Sequence, residues 1–285
     1  MTMQIKGFKV PLGYIEPPRH DEAYENLYQR VVGGARRLIK LFGLEVSVYG
    51  AEHIPAEGGA LIAGNHTGYA DFMLMGTGPH LRGERLVRFM AKQSVFEVPL
   101  VGHVMHKMRH VPVDRKAGAS SVDAAVDNLG RGLLVGIFPE ATISRSFELA
   151  NFKTGAARIA HQSGAPLIPC AIWGSQRIWT KDLPKRLRGV PVIVRYGEPV
   201  ALTGDAEADT AELKRRMQEL LDASREEYAT RYGSGEGEAW MPQSLGGTAP
   251  TLEEAEELYA AERAERDRKK AAKREKRARR KRGKK

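Results

Sequence analysis

Between residues 45 and 199, short apolar runs alternate with amphipathic stretches, and this alternation constrains the fold more than any other feature of the chain. The apolar runs fall at 45–49, 60–64, 87–90, 133–138, 166–172 and 191–196. Helical spacing fills 71–78, 99–107, 122–129 and 154–162. Strands separated by helices return through crossovers, so they pair in parallel and carry helices on their faces. The expected fold is therefore α/β, with a mostly parallel central sheet flanked by helices. It spans residues 45–232 and ends in a further amphipathic helix over 209–232. Ahead of it, residues 1–20 read as irregular, punctuated by Pro11, Pro17 and Pro18. Residues 21–42 read as an N-terminal amphipathic helix, with Arg30, Arg36, Arg37 and Lys40 on its polar face. Such a helix either packs on the domain or lies along a membrane surface. The organisation is thus an N-terminal segment (1–44), a central domain (45–232), and a linker with a charged tail (233–285), opened by the glycine-rich stretch 233–237.

Charge separates the tail from the rest. Residues 262–285 hold 15 Lys/Arg against 4 Asp/Glu, a net of +11, while the preceding 261 residues hold 30 against 31. The basicity is a tail property, suited to nucleic acid, to anionic lipid or to plain solvation. No aromatic residue follows Tyr259, so base-stacking platforms are missing and any nucleic-acid binding is expected to be non-specific. Cys170, the single cysteine, excludes an internal disulfide and reads as a buried thiol in a reducing compartment. No run approaches the roughly 18–20 apolar residues of a spanning helix, and the first 20 residues hold no continuous apolar leader core.

The chemistry concentrates at 65–71, Asn-His-Thr-Gly-Tyr-Ala-Asp, directly after the 60–64 run. His66 falls on a strand-to-helix turn and Asp71 in the first helical turn. From there the carboxylate can fix one imidazole nitrogen and leave the other as a base, the base-and-orienter half of a triad without its nucleophile. The substrate would then supply the attacking hydroxyl. An aspartate early in a helix is also a common cap or dipole partner. A zinc site is poorer, because no second His or Cys stands at ligand spacing. No GxSxG, no Walker GxxxxGK[ST] and no complete GxGxxG occurs.

Three later segments add polar groups. Lys92 and Phe96, with Pro99 and Gly102, follow the third apolar run; Val113-Asp114-Arg115 comes next; Phe138-Pro139-Glu140 leads to Thr142 and Ser144, with Lys153 and Ile168-Pro169 beyond. Glu140, at a strand's carboxyl end, either orients a substrate hydroxyl, stabilises the loop around His66, or caps a turn. Arg115 and Lys153 either bind an anion or are paired and solvated at the surface.

In order and spacing these blocks resemble the glycerolipid acyltransferase family, whose typical activity is 1-acyl-sn-glycerol-3-phosphate acyltransferase. The match runs from the NHxxxxD block at 65–71, through the lysine-phenylalanine-proline-glycine segment and Val113-Asp114-Arg115, to Phe138-Pro139-Glu140 and Ile168-Pro169. It covers residues 45–200, over half the chain. The resemblance implies His66, Asp71 and Glu140 as catalytic residues, and Arg115, Thr142, Arg145 and Lys153 as substrate-binding ones. It implies acyl-CoA as co-substrate with no cofactor and no metal, a lysophospholipid acceptor, and a cytoplasmic protein held peripherally on the anionic inner face of the cell membrane. Backbone N–H groups near the helix that follows His66, or around Gly68, are expected at the oxyanion. Glycerol 3-phosphate or another lysolipid is the alternative acceptor, and a non-catalytic nucleic-acid- or lipid-binding protein acting through its tail is the alternative class. One departure stands out. The family's Phe-Pro-Glu-Gly-Thr-Arg-Ser block carries Ala141 for its glycine and Ile143 for its phosphate-binding arginine, with Arg145 two positions on.

Overall fold

The computed structural model describes residues 1–114 and 118–282. Nine strands form one sheet: β1 (Thr2–Ile5), β2 (Phe8–Pro11), β3 (Glu45–Tyr49), β4 (Ala60–Gly64), β5 (Val87–Lys92), β6 (Val111–Val113), β7 (Leu134–Ile137), β8 (Leu167–Trp173) and β9 (Pro191–Tyr196). Their spatial order is β1-β2-β3-β9-β8-β4-β7-β5-β6. The helices are α1 (Asn26–Leu41), α2 (Asp71–Met75), α3 (Thr77–Leu81), α4 (Gln93–Phe96), α5 (Val101–Lys107), α6 (Gly118–Gly130), α7 (Gly155–Ser163), α8 (Ala206–Tyr232) and α9 (Leu252–Arg282).

Pairing is parallel throughout except between β1 and β2 and between β8 and β9. The central strands β4 and β8 are buried at every position. Being covered on both faces explains why they read as unbroken apolar runs rather than alternating ones. Cys170 sits inside β8, fully buried, and burial pushes its thiol pKa up.

The N-terminal segment departs from expectation. Residues 2–11 are not irregular: they form a hairpin added to the sheet edge, with Lys9 opposite Ser47. Its two turn residues, Lys6 and Gly7, both have positive φ (52° and 91°), as a type I′ turn requires. The helix expected from residue 21 starts only at Asn26, after a short 3-10 turn over Asp21–Tyr24. Glu22 in that turn points inward, 3.1 Å from Arg85 and 3.3 Å from Arg88, both fully buried. A buried charge needs such partners. α1 buries Tyr28 and Ile39 but leaves Leu27, Val31, Leu38 and Leu41 exposed, so it packs on the domain and still presents a second apolar stripe.

Two compact units emerge, Met1–Ser144 with Leu149–Ser234, and Arg145–Glu148 with Gly235–Lys285. The first contains the whole sheet. The second is built on α9.

Candidate active site

β4, β7 and β8 run the same way, so the loops that follow them share one edge of the sheet. β4 ends at Gly64, and the chain turns at Asn65. That side chain reaches across to β8: its amide NH₂ donates to the Ile172 carbonyl (3.0 Å) and its oxygen accepts from the Ile172 N–H (2.7 Å). Sequence inspection assigned Asn65 no role. Its contact is long-range, and nothing local signals it.

The next residue, His66, is partly exposed, and its Nδ1 lies 2.9 Å from Oδ2 of the fully buried Asp71. The same Oδ2 accepts from the Thr67 N–H (2.7 Å) and the Gly68 N–H (2.8 Å). A carboxylate only accepts, so the imidazole proton sits on Nδ1 and the Nε2 lone pair is left as the base. The two amides stabilise the buried carboxylate and fix its direction. They are therefore unavailable to an oxyanion: the donor expected at Gly68 is already spent on Asp71. Gly68 is needed for space as well, since a Cβ there would lie 3.0 Å from the carbonyl oxygens of Ser175 and Trp179. The imidazole stacks on Phe138 at 4.3 Å between centroids, a contact that holds the ring plane and that sequence inspection did not foresee. Among the described residues, no Ser, Thr or Cys side chain hydrogen-bonds the imidazole. The nearby Thr67 hydroxyl is occupied by Ser175 (3.1 Å).

Glu140 follows β7. Its Oε1 accepts from the His66 N–H (2.9 Å) and its Oε2 from the Ala150 N–H (3.1 Å). The His66 carbonyl in turn accepts from the Ser144 N–H (2.7 Å). Both backbone groups of the histidine are thus pinned by the loop after β7. Of the three roles open to Glu140, the geometry supports the second: it stabilises the loop around His66, with both oxygens on backbone amides. Burial pushes its pKa up to about 7, opposed by those two amide donors.

The remaining candidates differ in their surroundings. Thr142 is half-buried in the same loop, and Lys153 is exposed, its backbone N–H tied to the Pro139 carbonyl (3.0 Å). Arg145 belongs to the second unit, where it pairs with Glu262 (3.1 Å) and lies over the Tyr259 ring (5.1 Å). Arg115 lies outside the described residues. Ala141 has φ +56°, the left-handed region that favours glycine, and Ile143 is buried.

Beside the site, an apolar cavity of ≈ 90 Å³ is lined by Tyr28, Val31 and Val32 of α1 together with Phe72, Phe89 and Met108. Aromatic contacts lead from it to the histidine: Phe72 to Phe89 (6.0 Å), Phe89 to Phe138 (6.4 Å), Phe138 to His66. A wider cavity of ≈ 440 Å³, lined by His53, Arg195 and Glu198, opens at the opposite edge of the sheet and is not part of this site.

The profile of the acyltransferase family matches residues 45–173, which hold the whole His66–Asp71 and Glu140 arrangement. A 1-acyl-sn-glycerol-3-phosphate acyltransferase of Bacillus subtilis is 33% identical over 172 residues, covering 58% of this chain and 82% of that protein. This chain belongs to the acyltransferase family. A plant relative with the same printed name, from Limnanthes douglasii, is 31% identical over 180 residues, covering 61% of this chain and 60% of its own length. Among solved structures, the 1-acyl-sn-glycerophosphate (LPA) acyltransferase PlsC of Thermotoga maritima superposes with a TM-score of 0.58 at 23% identity, covering 75% of this chain and 85% of that one. At that identity the likeness speaks for the fold, and the acyltransferase fold is the α/β sheet described above.

Proposed function

We propose that this acyltransferase moves a fatty acyl group from acyl-CoA to the sn-2 hydroxyl of 1-acyl-sn-glycerol 3-phosphate, giving phosphatidic acid and free CoA for phospholipid synthesis. The observation that carries this reading is a histidine oriented by a buried aspartate, with no enzymic nucleophile among the described residues bonded to it. The acceptor hydroxyl fills that gap. His66 Nε2 takes its proton as the oxygen attacks the thioester carbonyl, the new C–O bond forms, the C–S bond breaks, and the thiolate leaves. Asp71 stabilises the imidazolium. Glu140 acts as a positioning residue through the His66 backbone. Neither metal nor redox cofactor takes part in this scheme. The names of the relatives support the acceptor. Lys153 and Arg115 are the phosphate ligands in this reading, with Thr142 as an auxiliary contact; Arg145 is engaged by Glu262 within the second unit. The apolar cavity beside Phe138 takes a short part of an acyl chain.

The protein is cytoplasmic and peripheral on the inner face of the cell membrane in this reading. No helix among the described residues is long and apolar enough to cross a membrane. The exposed stripe of α1 supplies apolar area, and the tail adds up to about 1 kcal/mol per basic residue near an anionic surface.

Ile143, buried where the family has a phosphate-binding arginine, favours a second reading in which the acceptor is a lysolipid with another head group. Acceptor profiling decides between them. With one acyl-CoA donor, thiol release is measured against 1-acylglycerol 3-phosphate, glycerol 3-phosphate and uncharged lysolipids. The first acceptor is expected to give the highest kcat/KM. A higher value for any other would replace it.

A further inference from the structure

β4, β5, β7 and β8 share one direction, so the segments after them gather at the edge that carries His66. Where that edge meets solvent it is strongly apolar. Tyr69 and Phe72 follow β4, Leu100 and Val101 follow β5, and Trp179 and Leu187 follow β8; all six are exposed, Leu100 by 82%. Leu100 is held there under strain. Its φ is 66° and ψ −50°, and the Val101 N–H closes on the Pro99 carbonyl (2.8 Å) in a γ-turn. A leucine forced into such a turn and left in water gains little from its own chain.

The tip after β8 is basic. Residues 179–189 carry Lys181, Lys185, Arg186 and Arg188 against Asp182. Lys185 Nζ lies 4.1 Å from the centre of the Trp179 ring, and Trp179 packs on Tyr69 of the catalytic loop at 4.7 Å. The opposite edge, where β3 and β9 end, carries exposed acids instead, Glu52 and Glu198. Exposed apolar tips, amphipathic aromatic rings and a lysine- and arginine-rich loop are the groups that an anionic bilayer surface takes up. A nucleic acid would use the cations but leave Leu100 and Leu187 in water.

We propose that the loops after β4, β5 and β8 form a lipid-facing rim that docks the catalytic edge on an anionic bilayer. This rests on the proposed function in one respect, that the acceptor lipid reaches His66 from that surface.

The test uses the full chain in vesicle flotation, with vesicles of phosphatidylglycerol and phosphatidylcholine in equal parts or of phosphatidylcholine alone. Asparagine tolerates positive φ, so Leu100→Asn is expected to keep or raise Tm while weakening binding to the anionic vesicles roughly tenfold. Lys185→Glu with Arg186→Glu is expected to weaken it at least about tenfold at low salt, with the difference shrinking at high salt. Both variants should stay near wild type in thiol release with water-soluble short-chain substrates. Wild-type vesicle binding by both would overturn the proposal. So would a loss of self-association, read by light scattering, with vesicle binding unchanged, since that would give the rim to a second copy. An inactive wild-type protein that still showed the binding pattern would remove the proposed function and leave the rim.

Discussion

Two loops at one edge of the sheet follow neighbouring parallel strands, and they differ in how closely their residues suit their backbones. In the loop after β4, each residue has a contact that explains it: Asn65 spans to β8, Oδ2 of Asp71 gathers two amides and His66, and Gly68 sits where a Cβ would crowd two backbone carbonyls. In the loop after β7, Glu140 performs a comparable task, but the next residue, Ala141, is forced into a left-handed conformation, and Ile143 is buried where the family has an arginine. The first loop presents His66 and its aspartate, and the second holds the first in place through the His66 backbone. The contrast teaches that the histidine and its aspartate sit in a loop whose residues suit its backbone, while the loop that pins them carries backbone strain at Ala141.

Asp71→Asn should show the largest break. It preserves shape but removes the charge that fixes the Nδ1–H tautomer, and kcat is expected to fall by about 10³-fold with the fold intact by circular dichroism. A fall of less than about tenfold would mean that Asp71 serves the two amides alone. Glu140→Gln comes next. One amide contact is kept and the other becomes donor against donor, so kcat should drop about tenfold with KM for acyl-CoA little changed. The same variant has a pH signature. The fold raises the Glu140 pKa from 4.5 to about 7, so the native state favours the protonated form. Wild-type stability relative to Glu140→Gln should therefore fall as pH rises from 4.5 to about 7 and level off above it, which thermal melts at several pH values will read.

Acid should act elsewhere and in the opposite sense. Burial lowers His80 and His110 to about 4, with nearby arginines adding to the shift. Unfolding between pH 6.5 and about 4 should take up protons at both, so their share of stability is lost as pH falls through that window. The smallest effect belongs to the strained loop. Ala141→Gly should relieve about 1–2 kcal/mol of left-handed strain, offset by about 0.4–1 kcal/mol of added unfolded-chain freedom. The net of about 0–1.6 kcal/mol should leave Tm unchanged or raise it by up to about 3 °C. A fall in Tm would mean that Ala141 is accommodated without strain.

Much of the fold was legible because its central strands are buried on both faces and therefore read as unbroken apolar runs. The N-terminal hairpin was hidden: its strands are short, β1 is largely exposed, and the Lys6-Gly7 turn is a weak signal among three prolines. The inward turn of Glu22 was equally hidden, because its partners Arg85 and Arg88 lie over sixty positions away. At the site, His66 and Asp71 were legible because both lie on one local turn. The Glu140 contacts to His66 and Ala150, the stacking of Phe138 and the use of the Gly68 amide depend on how separate strands align, which periodicity does not encode.

The most direct test is single-site acyl transfer by purified His66→Ala, measured as thiol release from acyl-CoA with 1-acylglycerol 3-phosphate. Loss of the base should lower kcat by about 10³-fold or more while vesicle binding and Tm stay near wild type. Wild-type turnover by that variant would contradict His66 as the base and, with it, the reading of this edge as the site of acyl transfer.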